Sequence, residues 1–512
     1  MRYLILPLLT LLMTMPAESL SALTLQAALA RGLAANLDLR IAATETPISA
    51  EQVIIADAIF DAHLEVEAET TAERIPTASV FTSDSYDRLR EYTGLASLSK
   101  RFRTGLEGNL SLEAWRRTTN SSVTGLDPQY RSYLTLDLVQ PLLRDAGTGA
   151  NTADLRIARQ LQRQAGLAFL DQARILGGKI EQGYIEISRS YGVLAMRRLA
   201  RSLAEDILAG NRRKFEAGLI PVSEVQEAET AVAAREEEVL LASQQVEVAV
   251  NNLRDLLEME QLSPSALSLA VNGSPADVIE PLERGEALAL ALDNRPDLEG
   301  QRVELAVRDI RVAFAENQEL PRLDLAATLG ANGLSGSAQN PSFTATGAAD
   351  GSNPFLGGYE ESLSRMAEAD GYEWAVGLVF SQPLGNRAAE ARTRQAKLRK
   401  RQAIDRLRRL ENQIATEVDN ALTILNRSLE RVAVSDRFVA LAKTTLDQEM
   451  ERLKAGLSDT FRILDFQEEL IAARIRRINA MADTETGQAD LYAAVGLNLE
   501  RHGILPVLPA AD

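Results

Sequence analysis

Apolar positions follow two different periods along this chain, and the change from one to the other and back happens twice. Residues 24–59 read as helix, about 62–141 as strands and loops, 150–215 as one long helix, and 222–257 as a return helix after a turn at Gly218–Pro221. The same order reappears over about 283–317, 320–384, 388–453, 456–459 and 460–496. Between the halves, residues 260–282 carry Pro264, Gly273, Pro275 and Pro281 and read as a linker.

The strand segments have one apolar and one polar face. His63, Glu65, Glu67 and Glu69 alternate with Leu64, Val66 and Ala68. Leu134, Leu136 and Leu138 alternate with Thr135 and Asp137. In the second half Leu323, Leu325, Ala327 and Leu329 oppose Arg322, Asp324 and Thr328, while Trp374, Val376, Leu378 and Phe380 oppose Ala375, Gly377 and Ser381. Such alternation suits a membrane barrel with lipid outside and water inside. It equally suits a half-buried soluble sheet. Strands this few close a wide barrel only in an oligomer. Tyr130, Tyr133, Tyr359, Tyr372, Trp115 and Trp374 cluster near the strands, as interface girdles do. Tyr92–Phe102 and Leu106–Trp115 also alternate around Arg103–Gly105, an extra hairpin that belongs either to the barrel or to an outer loop.

The return helix of the first half predicts coiled-coil packing. Val225, Val232, Val239, Val246 and Leu253 recur every seven residues, with Ala228, Arg235, Ala242, Ala249 and Leu256 between them. The second half is looser, with Ile463, Phe466, Leu470 and Ala473 followed by Arg477 and Thr484. The long helix would span ~100 Å at 1.5 Å per residue, which predicts an elongated body of paired helices.

The recurrence is a duplication. Ala28, Leu29, Leu33 and Asp38 return as Ala287, Leu288, Leu292 and Asp297, an offset of 259. Gly218, Leu219 and Val225 return as Gly456, Leu457 and Ile463, an offset of 238. Two similar units per chain follow.

Composition narrows the function. Aromatics are only 5% of the 512 residues, which favours long helices over a large globular core. A net charge of −17 disfavours nucleic acid as a partner. No cysteine is present, and the only histidines are His63 and His502, so no metal or cofactor site is expected. Arg2, the apolar run Leu4–Met15 and the small residues Ala17, Ser19, Ser21 and Ala22 read as a signal peptide. The organisation expected is a signal peptide at 1–22, a first repeat at 23–259, the linker at 260–282, a second repeat at 283–499 and a tail at 500–512.

These features together resemble the TolC-type outer-membrane efflux protein family. The strand exits Gln140-Pro141-Leu142 and Gln382-Pro383-Leu384 carry the resemblance. So do Asn294-Arg295-Pro296-Asp297-Leu298 and the turns Glu216-Ala217-Gly218-Leu219 and Lys454-Ala455-Gly456-Leu457. The resemblance implies a mixed α and β fold: a trimeric outer-membrane β-barrel continued by a long α-helical coiled-coil barrel, internally duplicated. Each subunit of the homotrimer would give four strands to a 12-stranded barrel, with the helices forming a tunnel in the periplasm. Pro141 and Pro383 would mark the strand-to-helix transitions. Gly218, Leu219, Gly456 and Leu457 would form the helix-tip turns, where a periplasmic adaptor (membrane fusion) protein docks.

Glu224 and Asp465 occupy the positions of acidic gate residues in that family. Arg462, Ser458 and Leu453 depart from it. An altered network is therefore expected, with Arg462 paired to Asp465, Asp459 or Glu224. The function implied is a passive exit duct, without enzymatic activity or cofactors. It would serve a tripartite efflux or type I secretion system driven by an inner-membrane RND or ABC transporter. The alternative is a secreted or periplasmic coiled-coil structural or adhesion protein. A hydrolase reading of Glu65 and Glu67 is weaker, because residues two apart on a strand share a face through pleating alone.

Overall fold

The computed structural model describes residues 23–78, 81–82, 84–121, 124–260, 282–339 and 354–506. The expected signal peptide and all but the ends of the linker lie outside the described residues. In the first repeat, α1 (Leu25–Ala35) and α2 (Leu37–Asp57) lead into β1 (Ala62–Pro76), β2 (Tyr86–Arg101), β3 (Glu107–Thr119) and β4 (Leu126–Pro141). Then come α3 (Gly147–Asn151), α4 (Ala153–Glu216) and α5 (Val222–Leu256). The second repeat runs α6 (Arg284–Asn294), α7 (Pro296–Glu319), β5 (Arg322–Ala338), α8 (Tyr359–Ala367), β6 (Gly371–Ser381), α9 (Arg387–Lys454) and α10 (Thr460–Ala494). The chain divides into a helical unit (Met1–Pro47, Ala165–Gln301 and Arg406–Asp512) and a sheet unit (Ile48–Gln164 and Arg302–Asp405).

Each repeat contributes a large apolar cluster to the helical unit. Leu29, Ile180, Ile187, Leu253 and Leu257 are buried together from α1, α4 and α5 and the residue after α5. Leu298, Ile414, Val418, Leu491 and Val495 do the same in the second repeat. The heptad positions Val225, Ala228, Ala242, Val246, Ala249 and Leu253 are buried, as a coiled-coil seam requires.

The break between α6 and α7 explains the Asn-Arg-Pro-Asp-Leu stretch. Buried Arg295 grips both carboxylate oxygens of Asp297, Nε to Oδ1 at 3.0 Å and Nη2 to Oδ2 at 2.6 Å. It also reaches Glu417 and donates to the Ala494 carbonyl. Burial alone would lower the Arg295 pKa, but the two carboxylates outweigh it and hold the guanidinium above its ordinary value. Burial likewise pushes Asp297 up, yet Arg295 holds it below the usual carboxylate range. In the first repeat Asn36 does this work. Its Oδ1 accepts from Leu39 N–H, and its Nδ2 donates to the Leu256 carbonyl.

The sheet corrects the strand count. Six antiparallel strands pair in the order β1-β2-β3-β4-β5-β6, so the described residues of one chain hold six strands where the resemblance implied four. The extra hairpin, β2–β3, is inserted in full register between β1 and β4. Its turn is tied to the neighbouring strand-to-helix junction. Gly147 N–H donates to the Thr104 carbonyl at 3.1 Å, Arg101 reaches Asn151 at 2.9 Å, and Arg103 pairs with Asp57 at 2.8 Å. Gly105 has φ +92°, and a Cβ there would stand 2.7 Å from the Asp145 carbonyl oxygen, so the turn requires glycine. A hairpin anchored in this way is an integral part of the sheet.

Candidate functional site

Directly opposed residues of an antiparallel pair share a face, so the register assigns each side chain to a side. One row runs Leu64, Leu98, Leu110, Leu136, Leu329, Trp374 across all six strands. The next runs Val66, Ala96, Leu112, Leu134, Ala331, Tyr372. Leu378 and Phe380 extend this apolar face on β6. The two rows are exposed at the sheet's edges: Val66 is 73% exposed and Trp374 68%. The opposite face carries His63, Ser99, Asn109, Asp137 and Thr328 in one row, and Glu65, Ser97, Ser111, Thr135 and Glu373 in another. The sheet therefore has one apolar and one polar face. Among the described residues no helix is long and apolar enough to cross a membrane.

The aromatic residues divide between the two faces. Tyr130, Tyr372 and Trp374 lie on the apolar side. Trp115 and Tyr133 do not fit a girdle, because their register places them on the polar side. There Trp115 is buried beside Arg117, whose Cζ lies 4.5 Å from the ring centroid. Arg117 also pairs with Glu91 at 2.6 Å.

Helix α8 covers the upper part of β4 and β5. Ser132 and Ser362 hydroxyls meet at 3.0 Å, Tyr130 stacks edge-on against Tyr359, and Ser335 donates to the Gly358 carbonyl. Gly333 permits this approach, since a Cβ there would fall 1.9 Å from the Ser362 carbonyl oxygen.

Pro141 ends β4 and Pro383 follows β6. Proline has no N–H to donate, so the ladder stops there. Leu142 N–H still reaches the Leu323 carbonyl at 2.7 Å, and Asn386 ties the start of α9 to the Glu319 carbonyl.

Both helix turns have the same backbone. Gly218 and Gly456 adopt φ +74° and +70°, and Leu219 and Leu457 N–H groups reach back to the Lys214 and Arg452 carbonyls. This is a glycine-terminated helix end. It leaves Leu219 and Leu457 largely exposed.

The side chains around these turns differ from expectation. Arg462 pairs with none of Asp465, Asp459 or Glu224 through its side chain. Its guanidinium faces Glu449 at 3.7 Å, while its backbone N–H is capped by Asp459. Asp465 is exposed on α10. Glu224 is half-buried and accepts from Thr460 at 3.5 Å.

Sequence reading missed Glu449. This buried carboxylate accepts from Ser458 and pairs with Arg452 at 3.3 Å as well as with Arg462. A lone glutamate in a helix of mixed charge gives no signal of burial. A second missed cluster lies at Arg235, the single polar position on the first-repeat seam. Arg235 and Arg197 share Glu238 and Glu468, at 2.9–3.3 Å, and so link α4, α5 and α10. The interrupted heptad was the available clue, but it did not name the acids.

Residues 287–497 match the sequence model of the family described as outer membrane efflux protein. Over these residues the chain is similar to that family. No curated protein matches the chain. Solved structures share the fold over nearly its whole length. The outer-membrane channel OprN aligns with 18% identity and a TM-score of 0.62, covering 92% of this chain and 89% of OprN. The outer membrane protein VceC of Vibrio cholerae gives 16% and 0.61, over 92% and 96% of the two chains. The Campylobacter jejuni outer membrane channel CmeC gives 16% and 0.62, over 93% and 86%. The structural likeness thus extends over the first repeat as well as the second.

Proposed function

We propose that this chain is the outer-membrane exit duct of a tripartite efflux or type I secretion system. The observation that carries the reading is the oily face running unbroken across six strands whose outer members, β1 and β6, are sheet edges. One copy cannot bury that face or pair those edges. Three copies joined β1 to β6 would do both, giving eighteen strands with the acids of β1 inside. Barrel diameter grows roughly linearly with strand number, so the lumen would be roughly 1.5 times as wide as that of a 12-stranded barrel.

The helices would continue the conduit into the periplasm, and the turns at Gly218 and Gly456 would form its mouth. Exposed Leu219 and Leu457 offer apolar knobs to a periplasmic adaptor protein, and an inner-membrane RND or ABC transporter would supply the energy. Conduction itself is passive. Opening requires the return helices α5 and α10 to move against α4, which breaks the ion pairs shared by Arg197, Arg235, Glu238 and Glu468. Three copies of Asp465 around the axis would favour cations at the mouth.

Planar-bilayer recording tests this reading. Purified protein should give discrete trimeric channels, and Asp465→Ala should reduce cation preference or alter opening. A protein that stays monomeric without detergent and never conducts would support the scaffold or adhesion reading instead.

A further inference from the structure

Above the apolar belt, the same face of the sheet turns strongly basic. On β2 the outward residues after Leu98, Ala96 and Gly94 are Tyr92, Arg90 and Arg88. On β3 they pass from Leu112 and Ala114 to Arg116, and on β1 from Val66 and Ala68 through Thr70 and Ala72 to Arg74. The register brings these arginines together. Arg74 lies directly opposite Arg88, Arg90 is two residues along from Arg88 on the same face, and Arg116 is paired with Tyr92, diagonal to Arg90. All four are exposed.

Like charges directly across a ladder destabilise it unless something neutralises them. The chain supplies little. Arg88 meets Asp84 at 2.6 Å, and the Arg74 guanidinium carbon sits 4.0 Å from the centroid of Tyr86. The acids of β1 and β2, Glu69, Glu73 and Glu91, belong to the opposite face by register.

We infer that Arg74, Arg88, Arg90 and Arg116 form a binding site for the phosphate groups of an outer-leaflet lipid. The inference rests on the membrane-barrel reading above. Height supports it. Arg74 stands ten residues beyond Leu64, ~25 Å once strand rise and tilt are included, which is the height of an outer-membrane barrel's apolar band. The guanidiniums therefore meet the leaflet where acyl chains end and headgroups begin. Tyr92 marks that boundary on β2. Residue type supports it too. Every cation in the cluster is arginine, whose planar fork binds phosphate through two parallel hydrogen bonds. A ligand here must carry phosphate directly above an acyl chain, because the basic patch and the apolar belt form one continuous surface.

The test uses the full-length protein in phosphatidylcholine nanodiscs. These contain diphosphorylated lipid A, or the same lipid with its phosphates removed. Native mass spectrometry counts the lipid retained per chain, with inorganic phosphate as a competitor. The wild type should retain the phosphorylated lipid selectively. At about 1 kcal/mol per arginine near an anionic surface, R90Q/R116Q should bind it roughly 30-fold more weakly. R90K/R116K should recover part of the binding, since charge remains while the fork is lost. Equal retention of both lipids by the wild type would overturn the inference, as would release of the lipid by inorganic phosphate at matched concentration. Bilayer conductance separates the two failures. Channels that conduct normally yet show no phosphate-dependent retention sink only the lipid site, whereas protein that never inserts sinks the barrel reading with it.

Discussion

At the turn between α4 and α5, buried Asn211 donates to the Glu224 carbonyl at 3.0 Å. At the turn between α9 and α10 the repeat offset of 238 puts Glu449 in place of Asn211, and Arg462 in place of Glu224. The neutral tie of one copy has become a charged tie in the other, on the same glycine-terminated backbone. The duplicated break before α2 and α7 shows the same divergence. Asn36 reaches the Leu256 carbonyl, and at the matching sites Arg295 reaches the Ala494 carbonyl. Duplication preserved the positions that need a polar link and left open how the link is made. The sheet diverged further. The first repeat gives four strands, whereas the second gives two and a covering helix.

The hairpin offers the largest break in this comparison. Deleting residues 86–119 leaves β1 to pair with β4, antiparallel and with Leu64 still in the Leu136 row. A trimer would then have the twelve strands of a symmetric pair of repeats. If diameter follows strand number, pore area and single-channel conductance should fall roughly twofold. An unchanged conductance would mean that β2–β3 does not line the pore.

Covering by α8 ranks next. Gly333 and Gly94 share one row of the sheet, but only Gly333 lies under a helix. Gly333→Val should cost about 3 kcal/mol in urea unfolding from vesicles, and Gly94→Val less than about 1 kcal/mol. Similar costs at the two sites would show that α8 does not rest on the sheet.

The buried pair at Arg295 gives a smaller effect with a pH signature. Asp297 lies below its ordinary value in the fold, so its stabilisation is complete above the unfolded value of roughly 3.9 and is lost as pH falls through the folded one. Asp297→Asn should cost about 2 kcal/mol at neutral pH and flatten the acid limb of the stability curve. Asn36→Ala, its counterpart, should cost about 1 kcal/mol with no change of slope. An acid limb that survives Asp297→Asn would place the titration elsewhere.

The turns should respond least. Glu449→Gln keeps an acceptor for Ser458 but loses the attraction of Arg452 and Arg462. Both arginines are largely exposed, so water screens much of it, and the cost should be about 1 kcal/mol. Open probability in bilayers should rise by a few-fold, and no increase would remove Glu449 from the closing network.

Much of this was legible in the residues. Period-two runs with Leu on one side and Glu on the other identified both faces of β1, because pleating is a local property of the backbone. Gly218 and Gly456 announced their turns, because positive φ is nearly a glycine signature. Trp115 shows the limit. Its ring suggested a girdle, yet register turned it to the polar face beside Arg117, and register depends on the neighbouring strand. The partner of Arg462 was out of reach for a similar reason. Its partner Glu449 lies across a turn, at a distance that sequence spacing does not report.

By itself, the sequence determined the duplicated plan, the helix–strand order and which residues of each strand are oily, since these follow from periodicity and from glycine and proline stereochemistry. Only the tertiary structure decided that the wall has six strands, that four arginines on three of them form one patch, and that Glu449 is buried. Each of these depends on which distant segments lie side by side, and that is set by hydrogen-bond register and packing rather than by local preference.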